Sequence, residues 1–344
     1  MALSSVSSRV SLGGFSLATQ TWRAAAAAPI TVTKNRVLAL HGWLDNSSTF
    51  SRLAPVLLES GAASEFVAVD LPGHGHSSHF DGPFQHARHV GLVKAMLDSL
   101  GWAQSETTIL GHSMGGGISL LFAGCFPERL CKCVVIDAFG PYTSTPERAP
   151  VDLRKSIEAE ERVSSSGGSS SGNNRKYATL GDAITARVKI VSTYPGSQSI
   201  SREAAEDIVR RGAHLVDSGS LSDAAAVASW ESTAGIDPTT WALAIPETLG
   251  PVAFRYDPRL LTPSATYLTV SQVDAFASSI TAPVLLLQAQ NGWPVPQDYA
   301  ERKRILQSKG LLDHRVVEGS HHLHLDPATA PAVAATIAAF LLQK

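Results

Sequence analysis

The chain has 344 residues, of which 44% are hydrophobic and 17% are charged, and its formal net charge at pH 7 is −2. This length predicts about two domains, or one large domain with an insertion. The composition is typical of a soluble globular protein with a substantial core. A net charge so close to zero gives no electrostatic footprint for nucleic acid or for an anionic membrane, so we expect neither as a partner.

The three cysteines, Cys125, Cys131 and Cys133, lie in apolar sequence. We expect them to be core thiols in a reducing compartment and not a disulfide framework or a zinc site. No stretch reaches the roughly 18 apolar residues of a membrane span, so none is predicted. The first ten residues resemble a transit peptide, whereas the alternation over 10–22 predicts two strands of the fold. The cytoplasm is therefore the expected compartment.

Short apolar segments alternate with segments of helical periodicity along much of the chain. This alternation predicts an α/β fold with a mostly parallel, doubly wound sheet of about eight strands. The clearest predicted strands are 36–40, 66–69, 107–110, 133–136, 283–288 and 313–317.

Residues 107–117, Thr-Thr-Ile-Leu-Gly-His-Ser-Met-Gly-Gly-Gly, predict a strand, a turn of small residues and the start of a helix. The pattern Gly111-x-Ser113-x-Gly115 is that of a nucleophile elbow. Such a turn raises the serine Oγ above the sheet, and the helix that begins at Met114 directs its N–H groups towards an oxyanion. The alternative is a glycine-rich connection with a solvated serine, and the pattern alone does not decide.

Four polar residues follow the carboxyl ends of predicted parallel strands: His41, Asp70, Ser113 and Asp137. Ligands of parallel sheets bind at these strand ends. The convergence favours a functional role for Ser113.

The regular alternation stops between residues 140 and 277, after the predicted strand 133–136, which is the sixth when the two strands over 10–22 are counted. We predict that this α-rich insertion is a cap over the site, with core segments at 1–139 and 278–344. Helices are predicted at 151–162, 174–193, 201–212 and 271–279, with a flexible Ser/Gly loop at 164–174 and Trp-containing pieces around Trp230 and Trp241. The alternative is a surface elaboration without a gating role.

The strand order, the insertion and the motifs resemble the α/β-hydrolase superfamily over essentially the whole chain. Four segments resemble the serine-hydrolase-like proteins in particular: His-Gly-Trp-Leu-Asp-Asn at 41–46, Gly-His-Ser-Met-Gly-Gly at 111–116, Phe-Arg-Tyr-Asp-Pro-Arg-Leu at 254–260 and Asn-Gly-Trp-Pro at 291–294. The resemblance implies the fold and a serine nucleophile, and it implies little about the substrate.

In this superfamily the catalytic base follows the last strand in a Gly-x-x-His-type loop, which Gly319-Ser320-His321 resembles. His321 is therefore the predicted base, with His322 as the alternative after a one-residue slip. His321, His322 and His324 together are a less favoured candidate metal cluster, since no acid or cysteine constellation supports them.

The predicted acid departs from the usual pattern of the superfamily. Family members often carry it just past the penultimate strand, where this chain has Gly292 and no acid before Asp298. Asp137 stands at the end of the strand after the nucleophile helix, the place where certain haloalkane dehalogenases carry theirs. Asp137 is the predicted acid, Asp298 is the second choice, and the alternative is that Asp137 caps a turn.

The oxyanion hole is expected to use the backbone N–H groups of Met114 and Trp43. Trp43 and His112 are also predicted to line the substrate site. His41 is expected to fix the loop after the first parallel strand through hydrogen bonds. Asp45 is predicted to share the N-cap of the following helix, the alternative being a contact with a polar substrate group.

These residues predict a serine hydrolase that acts on a small apolar ester through Ser113, His321 and Asp137, without a metal or organic cofactor. The expected partner is a small-molecule substrate. A haloalkane dehalogenase or epoxide hydrolase is disfavoured, because those relatives carry an aspartate where Ser113 stands. The alternatives are a catalytically weak ligand receptor or scaffold, and a C–C hydrolase or perhydrolase with the same triad.

Overall fold

A computed structural model describes residues 5–12, 14–23, 34–79, 84–165, 175–196, 198–216 and 250–343. The surroundings of Trp230 and Trp241 and nearly all of the predicted Ser/Gly loop lie outside these residues. No helix within the described ranges has the length and apolar character needed to cross a membrane.

Eight strands of the described chain form one sheet, in the order β1-β2-β4-β3-β5-β6-β9-β10. The first three pair antiparallel and all later neighbours pair parallel, so the predicted mostly parallel α/β sheet is confirmed. The strands are β1 Val6–Leu12, β2 Phe15–Arg23, β3 Arg36–Leu40, β4 Glu65–Val69, β5 Thr107–His112, β6 Lys132–Ile136, β9 Val284–Asn291 and β10 Leu312–Ser320.

Helices cover both faces of this sheet and recur in the described parts of the segment between β6 and β9. They are α1 Leu53–Glu59, α2 His86–Leu100, α3 Met114–Cys125, α4 Ala149–Ser165, α5 Leu180–Val191, α6 Arg202–Gly212, α7 Val270–Ser279, α8 Tyr299–Ser308 and α9 Ala330–Leu342. A second small sheet pairs β7 Ala213–Leu215 antiparallel with β8 Val252–Phe254.

The central strands are apolar throughout because each of their faces is covered by helices. Successive side chains of a strand point to opposite faces. Leu38 and Leu40 accordingly join the core beneath α2 and α3, whereas Val37 and Ala39 join the core beneath α1 and α9. This double burial fixes the register of β3 and β5, whose carboxyl ends carry the site.

The segment between β6 and β9 lies outside the large sheet and has a hydrophobic cluster of its own. Two buried ion pairs join this segment to the strand ends. Arg187 of α5 pairs with Asp45, and Arg211 of α6 makes a bidentate contact with Asp70, with Nε 3.0 Å from both carboxylate oxygens. The site lies between these anchors and the sheet.

The second helix predicted in this segment, 174–193, begins later than expected. Residues 174–193 were expected to be helical, but α5 begins at Leu180 because Thr179 caps it. The Thr179 side chain accepts from the Asp182 N–H while Asp182 accepts from the Thr179 N–H, forming a capping box. Tyr177 instead bridges to Val252. The sequence pattern predicted that a helix is present, and the capping hydrogen bonds between Thr179 and Asp182 determine the residue at which it begins.

Candidate active site

Ser113 stands at a sharp strand-to-helix turn between β5 and α3. Its backbone has φ +52° and ψ −118°, a strained conformation for a residue with a side chain. Glycines make the turn possible: a Cβ at Gly111 would lie 2.2 Å from the Gly115 carbonyl oxygen, and one at Gly115 would lie 2.1 Å from that of Leu40. The strain is maintained because the flanking strands leave the turn no room to relax.

The loop after β3 is fixed by two buried histidines. His41 Nε2 accepts from the Leu71 N–H at 2.8 Å, so its proton is on Nδ1, which donates to the Gly42 carbonyl at 2.7 Å. His74 Nε2 accepts from the N–H of Leu44, whose φ is +59°. Burial lowers the pKa of His41 and lowers that of His74 to about 3, so both rings are neutral at pH 7. The expected loop-fixing role of His41 agrees with these contacts.

The structure brings Asp137 and His321 into direct contact. His321 Nδ1 lies 2.6 Å from Asp137 Oδ2, and the same oxygen accepts from the Trp293 N–H at 3.0 Å. The other oxygen, Oδ1, accepts from the Ala289 N–H at 2.9 Å. Three donors therefore hold the plane of the carboxylate, which in turn fixes the orientation of the imidazole.

The glycine that stands where the superfamily usually carries its acid has a specific steric role. A Cβ at Gly292 would lie 2.3 Å from Asp137 Oδ1, so the carboxylate fills the space that a side chain at 292 would need. Asp137 has φ +49°. It enters from β6, which is the immediate neighbour of β9 in the sheet.

Asp298, the second choice for the acid, has other partners. Its carboxylate pairs with the fully buried Arg302 and accepts from the Thr143 hydroxyl at 3.3 Å. Arg302 also donates to the Phe139 carbonyl at 2.8 Å. The structure thus places Asp298 in a buried ion pair at the start of α8.

Asp45 does not cap the following helical turn, which corrects the prediction. Asn46 is the N-cap and accepts from the Ser48 N–H, whereas Asp45 pairs with Arg187 and lies 3.5 Å from His322 Nε2. Burial alone would raise the pKa of the Asp45 carboxyl. The neighbouring His322 and Arg187 outweigh burial and hold this pKa well below its usual range. The Asp45 carboxylate is therefore taken up by the Arg187 guanidinium, and the side chain that caps the helical turn is that of Asn46.

The remaining histidines of the predicted site lie behind the His321 ring. His112 Nε2 donates to the His321 carbonyl at 2.9 Å, and His324 Nε2 lies 2.8 Å from the Thr49 hydroxyl. Burial lowers the pKa of His112 far below its usual range and that of His324 to about 3. Within the described residues, no group of His, Cys, Asp or Glu side chains is arranged to hold a metal ion.

Ser113, His321 and Asp137 all line a cavity of about 450 Å³. Met114, Trp43 and His112 line it too, and Trp43 is tied to the insertion by its indole N–H, which donates to the Leu260 carbonyl at 3.0 Å. The described wall contains no lysine or arginine. Its aromatic members are Trp43, Phe84, Tyr142, Tyr194, Tyr267, Trp293 and Tyr299.

The family model of the α/β-hydrolase fold matches residues 35–328. The chain belongs to this family. It is 28% identical to a serine hydrolase-like protein of Danio rerio over 316 residues, which cover 89% of this chain and 81% of that protein. A hypothetical protein of Pseudomonas aeruginosa has a solved structure that is similar, with a TM-score of 0.75 and 31% identity over 98% of this chain and all of that one.

More distant structures share the fold. A thioesterase domain from the curacin biosynthetic pathway has a TM-score of 0.68 at 17% identity, and covers 99% of this chain and 100% of that one. The family match and the names of the relatives support a hydrolase, and the resemblance to the serine-hydrolase-like proteins is confirmed.

Two contributions to the hydrolase site were missed by sequence reasoning. Gln198 accepts from the His321 N–H at 2.8 Å, across 123 residues of sequence. Arg187 reaches Asp45 across 142 residues. Neither residue belongs to a motif, and helical periodicity gives no distance between segments so far apart, so no local signal could have found them.

Proposed function

We propose that this protein is a serine hydrolase that cleaves a small, uncharged, apolar carboxylic ester. The observation that carries the proposal is the 2.6 Å contact between His321 and Asp137 at the cavity that Ser113 also lines. A base held by a carboxylate beside a serine on a strained elbow is the arrangement that acyl transfer needs.

The reaction proceeds in two steps. His321 Nε2 takes the Ser113 hydroxyl proton as Oγ bonds to the ester carbonyl carbon, and the N–H groups of Met114 and Trp43 hold the oxyanion. The tetrahedral intermediate collapses, the bond to the alcohol breaks, and His321 returns the proton to the departing oxygen. His321 then deprotonates a water that bonds to the acyl carbon; the bond to Ser113 Oγ breaks, the acid leaves, and His321 returns the proton to Oγ. Asp137 stabilises the imidazolium in both steps.

The substrate class follows from the lining of the cavity. A volume of about 450 Å³ accommodates a small molecule, and aromatic rings provide much of its wall. The described wall provides carboxylates, at Asp45 and Asp137, and no cationic side chain to attract an anion. An uncharged apolar acyl group is therefore favoured over a carboxylate- or phosphate-bearing one.

We also propose that residues 140–277 act as the cap of a core made of 1–139 and 278–344. The segment has its own hydrophobic cluster, and it contributes Tyr142, Tyr194 and Tyr267 to the cavity wall. Its two buried ion pairs to Asp45 and Asp70 support a cap that is anchored to the strand ends.

The proposal is tested with a fluorophosphonate probe and with p-nitrophenyl esters from acetate to decanoate. The wild type should be labelled and should show turnover that peaks at one chain length, whereas Ser113→Ala should escape labelling and lose on the order of 10⁴-fold or more of kcat. Equal labelling of the two proteins, or no turnover above Ser113→Ala by a folded wild type, would overturn it and favour a ligand receptor.

A further inference from the structure

The side chain of Gln198 lies between the loop after β10, which carries His321, and the loop after β9, whose Trp293 N–H donates to Asp137. It belongs to the segment between α5 and α6 and is 3% exposed. Its Oε1 accepts from the His321 N–H at 2.8 Å, and its Nε2 donates to the Gly292 carbonyl at 2.7 Å. Nε2 also donates to the carbonyls of Pro195 at 2.9 Å and Gly196 at 3.2 Å.

These partners determine the orientation of the amide. A backbone N–H only donates and a carbonyl only accepts, so rotating the amide by 180° would lose every one of these contacts. Gly196, with φ +89°, lets the segment approach, because a Cβ there would lie 2.7 Å from the Gly292 carbonyl oxygen. The geometry is therefore specific to a glutamine beside a glycine turn.

The side-chain amide of Gln198 connects the two chain segments just beyond the point where β9 and β10 stop pairing. The register of the two strands shifts between Val317 and Ser320, and their last paired residues are Ser320 and Asn291. Gly292 and His321 are the next residues of each strand. Gln198 joins them through its side chain, and so continues the pairing one residue beyond the sheet.

Both loops act directly on the acid–base contact. The residue after Gly292 is Trp293, whose N–H donates to Asp137 Oδ2, the oxygen that His321 Nδ1 contacts. A movement of either loop would therefore change the angle or the length of the His321–Asp137 hydrogen bond. Gln198 is not among the described residues that line the cavity, so we expect it to act on the acid–base pair and not on the substrate.

We propose that Gln198 is a positioning residue that sets the geometry of the His321–Asp137 pair, an inference that rests on the proposed serine hydrolase function. Through it the insertion controls the orientation of the base without touching the substrate. Loss of the amide should lower kcat more than it changes KM, because a misaligned base impairs proton transfer and leaves the apolar pocket intact.

The test compares Gln198→Met, which keeps the length of the side chain, with Gln198→Glu, which keeps an acceptor for His321 and removes the donor to Gly292. The matched control is Gln307→Met on the exposed face of α8. We expect kcat to fall by on the order of 10²-fold in Gln198→Met and by at least as much in Gln198→Glu, whose buried carboxylate oxygen would face three carbonyl oxygens, with KM within about threefold. Gln307→Met should match the wild type.

A spectroscopic readout makes this test independent of turnover. The Nδ1 proton of His321, held against a carboxylate at 2.6 Å, should give a far-downfield proton NMR resonance that Asp137→Asn abolishes. Gln198→Met should shift or broaden this resonance at an unchanged Tm. If the wild type cleaves no ester, the proposed function fails while the resonance still tests Gln198.

Two results would overturn the role of Gln198. One is an unchanged resonance and an unchanged kcat in both folded variants. The other is a lowered Tm with kcat and the resonance preserved, which would assign Gln198 to fold stability alone. If Gln198→Met does not fold, the same readings on Gln198→Glu decide.

Discussion

The nucleophile side and the acid–base side of the site are held in place by different forces. Around Ser113 the constraint is steric, since backbone atoms lie within 2.2 Å of where Cβ atoms at Gly111 and Gly115 would be. Around His321 the constraint is hydrogen bonding, because Asp137 and Gln198 reach the ring and the backbone from separate segments.

This difference predicts how each side responds to change. Steric repulsion rises steeply, so a methyl group at the elbow should damage folding together with activity. Hydrogen bonds at the edge of the sheet are weaker and more directional. Their loss should impair catalysis far more than it impairs stability. The two sides can thus be separated by measuring kcat and the free energy of unfolding on the same variants.

On the acid–base side, the largest effect on turnover is expected for Asp137→Asn. An amide cannot stabilise the imidazolium and favours the wrong tautomer of His321, so kcat should fall by on the order of 10⁴-fold. Ester hydrolysis and urea unfolding measure the two effects. Asp298→Asn is the control, and it should lower stability through Arg302 while kcat stays within about threefold. The reverse pattern would make Asp298 the acid.

A double variant sharpens this test. Asp137→Gly with Gly292→Asp moves the carboxylate to the strand where the superfamily usually carries it, and the first change frees the space that the second needs. We expect the pair to recover on the order of 10²-fold of the kcat that Asp137→Gly alone loses. Gly292→Asp by itself should be harmful, because two carboxylates would compete for one space. Absence of any recovery would contradict the steric account of Gly292.

On the nucleophile side, Gly115→Ala should lower the free energy of unfolding by about 3 kcal/mol, because the new methyl group overlaps the Leu40 carbonyl. Gly91→Ala in α2 is the matched control. A Cβ there meets nothing within 4 Å, so the change should stabilise the protein by about 0.5–1 kcal/mol. Urea denaturation of both variants measures this. Equal stabilities would show that the elbow relaxes more easily than its contacts indicate.

The features that the sequence could predict are those encoded locally, and the features that it could not predict depend on contacts between distant segments. The elbow is encoded within residues 111–115, and Asp137 could be chosen because it follows a predicted strand in the parallel sheet. The choice of Asn46 over Asp45 as a cap, by contrast, depends on Arg187, which is 142 residues away. Gln198 and the steric role of Gly292 likewise exist only once distant segments are packed together, so no periodicity or motif could have indicated them.

The smallest expected effect concerns the buried histidines that support the two sides. Burial lowers the pKa of His74, on the nucleophile side, and of His324, behind the base, to about 3 in each case. An unfolded chain binds these protons near pH 6.5, so between pH 6.5 and about 3 it holds more protons than the folded one. The contribution of these two histidines to the free energy of unfolding should therefore be constant above pH 6.5 and should fall below it.

Each such histidine adds about 1.4 kcal/mol per pH unit to the slope in this range. Urea unfolding at pH 7, 6 and 5 measures it, and His324→Gln should flatten the curve by about that amount. Gln307→Met on the exposed face of α8 is the control, because it removes no titratable group and should leave the slope unchanged. A slope that His324→Gln leaves intact would mean that this ring takes up its proton in the folded protein, through a rearrangement of the Thr49 contact behind the base.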